Sequence, residues 1–179
     1  MHFTMAKSAQ DFFSNIIASE GSHGSKEKNK FIQFDVYYCC ALIGMAAVQL
    51  DDDTSDLKAQ LVDKYPKVYM ESRAHIAGLL VATEAKRLGI DIQSPKLEEI
   101  MLQYLSDDST MLSDEGIQTL NFYSQQGYHL IREFPLEEKP TSREEFLEAF
   151  NIAMQTSLDK GTQRKTTENE LPSLTQCTA

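Results

Sequence analysis

The chain has 179 residues, of which 41% are hydrophobic, and it carries a formal net charge of −10. A chain of this size and composition can bury a core as one domain without disulfide or metal staples. Its acidic balance argues against a general phosphate-binding surface, so we expect no direct binding to nucleic acid.

The N-terminal segment, residues 1–29, is predicted to be a helix followed by a linker. Met5–Glu20 has a short apolar face, and residues 21–29 form a polar stretch containing Gly and Ser that we expect to be flexible. Such a helix suits docking in a groove, on this chain or on another. The candidate partner-binding residues are Phe12, Phe13, Ile16 and Ile17.

No secretory leader is expected at this end, because Gln10 and Asp11 interrupt the first apolar stretch. The three cysteines form no disulfide framework, which fits a reducing compartment. We therefore expect a cytoplasmic protein.

The dominant stretch is Lys30–Leu50, which is predicted to be a central hydrophobic helix. Its uncharged part, Val36–Leu50, has 15 residues. A membrane-spanning helix needs about 20 apolar residues, so we expect a buried helix of a soluble domain and no membrane insertion. Cys39 and Cys40 lie in the middle of this stretch and are predicted to be buried small side chains rather than catalytic thiols.

The central helix has one large and one small face. The large face carries Phe31, Phe34, Tyr38, Leu42 and Met45. The opposite face carries Gln33, Val36, Cys40, Gly44 and Ala47, and these mostly small residues would let another helix backbone come close.

The segment after the central helix, residues 51–56, contains four aspartates. A calcium-binding loop requires glycine at its sixth position and glutamate at its twelfth, and no register starting at Asp51 or Asp52 supplies them. A solvated capping turn is the better interpretation. Leu57–Lys64 is predicted to be a short helix or helical turn.

A second long helix is predicted over residues 67–88, ending at Gly89. Its middle is uncharged and includes Ala74, Ala77, Gly78 and Ala82. Since small residues occur on both long helices, we expect this helix to be the main packing partner of residues 30–50.

The C-terminal half is predicted to contain three further helices. Ser94-Pro95 marks one start and Ser113 another, with Gly127 as the predicted end of the latter helix. Residues 128–134 are too few for periodicity to decide between helix and extended chain.

The last helix is predicted from capping-box spacing, either Thr141 with Glu144 or Ser142 with Glu145. Residues 158–179 are polar and are expected to form a disordered tail. The predicted fold is thus all-α, an irregular antiparallel bundle of six to seven helices with a core domain over residues 30–157.

The candidate ligand-binding residues lie on the two long helices. Glu71 and His75 are spaced i, i+4 and could pair as a general acid/base or orient a metal ligand. Asp35, near Tyr38 on the large face, would need a partner if buried, and Arg73 or Arg87 could supply one.

No nucleotide-binding, hydrolase or zinc motif occurs in the sequence, and we expect no cofactor and no metal. The first hypothesis is a non-enzymatic helical subunit or adaptor that binds protein partners or itself. One alternative is a small-molecule- or metal-binding helical enzyme with its site between the two long helices. Another is an acidic regulator that acts near nucleic acid through a partner.

Overall fold

The computed structural model describes residues 1–18, 30–53 and 59–168. The described chain is mostly helical, as predicted, but it also contains a small sheet. Its elements are β1 (Phe3–Met5), α1 (Lys7–Phe12), α2 (Gln33–Ala47), β2 (Ala59–Val62), a short 3-10 helix (Lys67–Tyr69), α3 (Arg73–Arg87), α4 (Lys96–Tyr104), α5 (Asp114–Glu133) and α6 (Arg143–Glu168). None of these helices is long and apolar enough to cross a bilayer.

The two strands were not predicted. β1 pairs antiparallel with β2, with Met5 opposite Ala59, Thr4 opposite Gln60 and Phe3 opposite Val62. The prediction of a helix over 57–64 is therefore wrong where the chain is described. Strands this short show no readable period, and their pairing joins segments far apart in sequence.

The main packing partner of α2 is α5, so the prediction that helix 67–88 plays this role is wrong. A Cβ on Gly44 would overlap the carbonyl oxygen of Tyr123, and a Cβ on Gly127 would overlap that of Cys40. The pairing of 40 with 127 and of 44 with 123 makes the two helices antiparallel. Glycine permits this close approach of two backbones because it has no side chain.

Gly127 therefore lies inside α5, and the predicted helix end at this residue is wrong. α5 continues through most of 128–134 and ends at Glu133. The role of Gly127 is contact with α2 rather than termination.

The N-terminal segment packs into the same hydrophobic core as α2 and α5. The predicted helix over Met5–Glu20 is shorter in the structure, because α1 ends at Phe12. Ile17 then forms a bridge with Phe31, and the ring of Phe13 lies 5.4 Å from that of Phe146. Residues 19–29, which include the predicted linker, lie outside the described residues.

Asn121 of α5 holds β1 in place. Its side-chain oxygen accepts hydrogen bonds from the Thr4 N–H at 3.1 Å and from the Tyr37 hydroxyl at 2.7 Å. Its amide nitrogen donates to the His2 carbonyl at 3.1 Å. The side chain thereby joins the N-terminal strand to α5 and α2.

Several predicted helix boundaries agree with the structure. The Ser113 hydroxyl caps α5 by accepting the Gly116 N–H at 3.0 Å, and Ser142 caps α6 by accepting the Glu145 N–H at 3.1 Å. Gly89 adopts a φ of +67° just beyond α3, where a left-handed residue ends a helix.

Two predicted extents differ from the observed ones. α3 begins only at Arg73, after the 3-10 helix, so it is shorter than the predicted 67–88. α6 runs to Glu168 and thus enters the segment that was predicted to be disordered, while residues 169–179 lie outside the described chain.

Candidate functional site

Two of the four predicted ligand residues, Asp35 and Tyr38, both contact Tyr69. The Tyr69 hydroxyl donates to Asp35 Oδ1 at 2.7 Å, and the rings of Tyr38 and Tyr69 are 5.7 Å apart. The other Asp35 oxygen accepts the Ile32 N–H at 2.9 Å, at the start of α2. The partner of Asp35 is therefore a tyrosine and a helix terminus, not Arg73 or Arg87.

The other two, Glu71 and His75, are both exposed. Glu71 precedes α3, so the pair does not lie on one regular helical face. Across the described parts of the chain, no hydrogen bond or ion pair joins them. The hypothesis of a ligand site formed by these four residues stays a prediction.

Cys39 and Cys40 lie within α2, Cys40 fully buried. Burial raises the pKa of Cys39 to about 12, with a further contribution from the nearby Asp35 carboxylate, and burial raises the pKa of Cys40 as well. Because the thiolate is the reactive form, neither thiol is prepared for nucleophilic chemistry at neutral pH.

A buried polar cluster that was not predicted from the sequence centres on Glu84 of α3, which is fully buried. Arg87 donates to both of its oxygens, through Nε at 2.9 Å and through Nη2 at 2.7 Å. Tyr104 of α4 donates at 2.9 Å, and Tyr123 of α5 also donates its hydroxyl to the carboxylate. One carboxylate thus joins three helices.

The charge of Glu84 is stabilised where it lies. Burial acts to raise its pKa, but the hydrogen bonds from Arg87, Tyr123 and Tyr104 outweigh burial and hold the pKa below the ordinary value. Each oxygen already accepts two hydrogen bonds, so the group is committed to its protein partners. We interpret it as a structural link between α3, α4 and α5.

Sequence offered one weak signal for this link, the i, i+3 spacing of Glu84 and Arg87. The two tyrosines follow 20 and 39 residues later, and nothing in their local pattern indicates a shared partner. Among the residues that the structure describes, no group of three His, Cys, Asp or Glu side chains is placed to hold a metal ion.

An apolar groove of about 560 Å³ runs between α3 and α4. Its floor is formed by Ala74, Ala77 and Gly78 of α3, and its wall by Met101 and Leu102 of α4 and by Leu105 just beyond that helix. Leu102 is 75% exposed and Met101 43% exposed, so large apolar side chains here face solvent. A Cβ placed on Gly78 would meet no atom within 4 Å, which shows that the floor is open.

Acidic side chains lie at both ends of this wall. Glu98, in the first turn of α4, and Asp107, just beyond its end, both line the groove. Arg73 is engaged at the loop that follows α4, where its guanidinium donates to the Ser109 carbonyl at 3.3 Å. The groove is thus an apolar strip with a carboxylate at either end.

A smaller apolar depression of about 300 Å³ lies on the other side of α3. Leu79 and Ala82 of α3 line it together with Met45 of α2 and Met154 of α6, and Lys86 lies at its edge. α3 is therefore flanked by apolar surface on both sides.

The predicted partner-binding residues are not at the surface. The side chains of Phe12, Phe13, Ile16 and Ile17 are all buried in the core of their own chain. Docking of this face on another protein would require residues 1–18 to leave that core. Among the described residues, the α3–α4 groove does expose apolar side chains, and it was not among the predicted binding faces.

Comparison with known proteins gives no assignment: no family model, no curated protein and no solved structure matches the chain.

Proposed function

We propose that the protein is a non-enzymatic helical subunit or adaptor and that it binds a protein partner in the α3–α4 groove. The observation that carries this proposal is the open floor at Gly78 beneath exposed apolar side chains of α4. Contiguous exposed apolar surface, bordered by polar residues, is typical of protein interaction sites.

The polar groups of the described chain support a binding role rather than a catalytic one. The buried carboxylate, Glu84, has its oxygens occupied by Arg87, Tyr104 and Tyr123. Catalysis needs a nucleophile, acid or base that is free to reach a substrate. The groove offers few converging polar groups, whereas a small-molecule site normally supplies several that fix the orientation of the ligand.

The test compares Gly78→Leu with Gly78→Ala. Both changes replace a helix-interior glycine with a better helix former, so neither should weaken the fold. Only leucine extends beyond Cβ into the space above the floor. The tagged full-length variants and wild type are used to capture proteins from the native host, and the recovered proteins are quantified by mass spectrometry.

We expect a stoichiometric partner on wild type and on Gly78→Ala, reduced at least about tenfold on Gly78→Leu because the leucine occupies the docking space. Thermal unfolding of each variant shows whether the fold is retained. Equal recovery on all three proteins would contradict the proposal that the groove is the docking site.

A further inference from the structure

We infer that the occupant of the α3–α4 groove is an amphipathic helix of another protein, with basic residues at both ends of its apolar stripe. This inference rests on the proposed function and specifies the chemistry of its partner. It follows from the shape of the groove and from where its charges lie.

The shape suits a helix. The floor residues Ala74, Ala77 and Gly78 are small, so the backbone of an occupant can approach α3 closely. α4 has nine residues and forms a wall about 13 Å long. That length matches an apolar stripe with anchors at positions i, i+3 or i+4, and i+7 of a docked helix.

The wall can adapt to different anchors. Met101 of α4 and Met111 in the connection to α5 both line the groove. Methionine side chains are flexible and polarisable, and they adjust to apolar groups of varied shape.

The charges define the ends of the occupant. Along the wall the order is Glu98, then Met101, Leu102 and Leu105, then Asp107. Two further exposed carboxylates, Glu99 and Asp108, adjoin the first and the last of these. Basic residues at both ends of the apolar stripe would face these carboxylates, while acidic residues there would be repelled.

The same charges disfavour the other occupants. A second copy of this chain carries the same net charge of −10, so self-association at an acidic groove would be opposed by like charge. An anionic membrane surface attracts basic segments, and this groove presents carboxylates instead.

The experiment uses two synthetic helical peptides of about 16 residues with the same leucine stripe. One has lysine and arginine at both ends, and the other has glutamate at the same positions. Each is titrated against the full-length protein by isothermal titration calorimetry, at low salt and at about 0.5 M salt. Vesicles containing anionic lipid are tested in parallel by cosedimentation.

Three protein variants distinguish the contribution of the groove's shape to peptide binding from the contribution of its charges. Gly78→Leu blocks the floor. The double variant Glu98→Gln/Asp107→Asn removes the two lining charges, and Glu137→Gln/Glu138→Gln is its control, because it changes net charge equally at exposed residues that do not line the groove.

We expect the basic peptide to bind at least about tenfold more tightly than the acidic one at low salt, with a smaller ratio at high salt. In the Glu98→Gln/Asp107→Asn variant, the affinities of the two peptides should differ by no more than about twofold. The Glu137→Gln/Glu138→Gln control should keep the wild-type difference. Gly78→Leu should bind neither peptide.

Other outcomes overturn the inference in distinguishable ways. Equal binding of both peptides, lost in Gly78→Leu, would leave the groove as a docking site and refute the basic partner. If neither peptide binds but capture of a partner from the host still depends on Gly78, the groove remains a docking site and only the inference of a helical partner is refuted. If the Gly78→Leu variant binds the peptide as well as wild type does, the groove is not the binding site. If wild type instead binds vesicles or dimerises, and Gly78→Leu abolishes this, the groove binds a membrane surface or a second copy of the chain rather than a basic helix.

Discussion

At the α2–α5 crossing, Gly44 and Gly127 lie against the backbone of the opposite helix, whereas Gly78 of α3 lies beneath open space. All three glycines are inside helices. The first two are buried contacts between neighbouring helices, and the third is the floor of an exposed groove. A glycine inside a helix therefore permits close approach without determining that another helix of the same chain will pack against it.

The difference lies in the rest of each helix. α2 has apolar residues on all sides and buries nine of its 15 residues, and α5 covers its small face. α3 carries exposed His75, Lys86 and Arg87 and buries only one side. A helix of that kind can remain at the surface, with its small residues available to a partner.

The sharpest way to test the comparison is to make the same substitution in both regions. Gly127→Ala places a methyl group against the Cys40 carbonyl, where backbone must move to admit it. We expect a loss of about 3 kcal/mol or more in the free energy of unfolding, at the upper end for overpacked cores. Urea unfolding measures it. A variant as stable as wild type would show that the helices are not in backbone contact.

The second test concerns the link that holds the groove helices in place. Glu84→Ala leaves Arg87, Tyr104 and Tyr123 without their acceptor, and breaking a buried pair usually costs about 3 to 5 kcal/mol. Because the Arg87 side chain is 33% exposed, we expect a smaller loss of about 2 to 3 kcal/mol. Hydrogen exchange should rise most in α3 and α4. An equal rise in α2 would contradict a link that is local to the groove.

The third test varies the pH to change the ionisation of Glu84. The pKa of Glu84 is lower in the folded protein than its ordinary value, so its ionisation stabilises the fold above its unfolded pKa of about 4.3. That contribution is lost as pH falls through the folded pKa. Comparing urea unfolding of wild type and Glu84→Gln near pH 7 and near pH 3, we expect the stability difference between them to shrink in acid. A difference that is constant or grows would mean that the folded pKa is not lowered.

The smallest expected effect is Gly78→Ala, the counterpart of the first test. The new methyl group meets no atom within 4 Å, and alanine favours a helix over glycine by up to about 1 kcal/mol. We expect a small gain in stability, measured as a raised midpoint of thermal unfolding. Destabilisation comparable to that of Gly127→Ala would show that the space above Gly78 is filled.

Sequence by itself determined the mostly helical fold and several helix ends. These follow from local physics: an uncharged run longer than a strand, serine hydroxyls that accept helix N–H groups at Ser113 and Ser142, and a glycine with positive φ at Gly89. Each signal is contained within a few consecutive residues.

Tertiary structure decided what those elements contact. Gly127 has the local pattern of a helix end, but contact with Cys40 makes it part of a helix interior. Asn121 and Glu84 acquire their roles only when residues far apart in sequence converge on them. The groove at Gly78 likewise exists because α4 and the connection that follows it lie opposite α3 and form its wall. Local sequence encodes helix propensity and helix caps. Which elements pack against each other depends on how all the apolar faces of the chain are buried together.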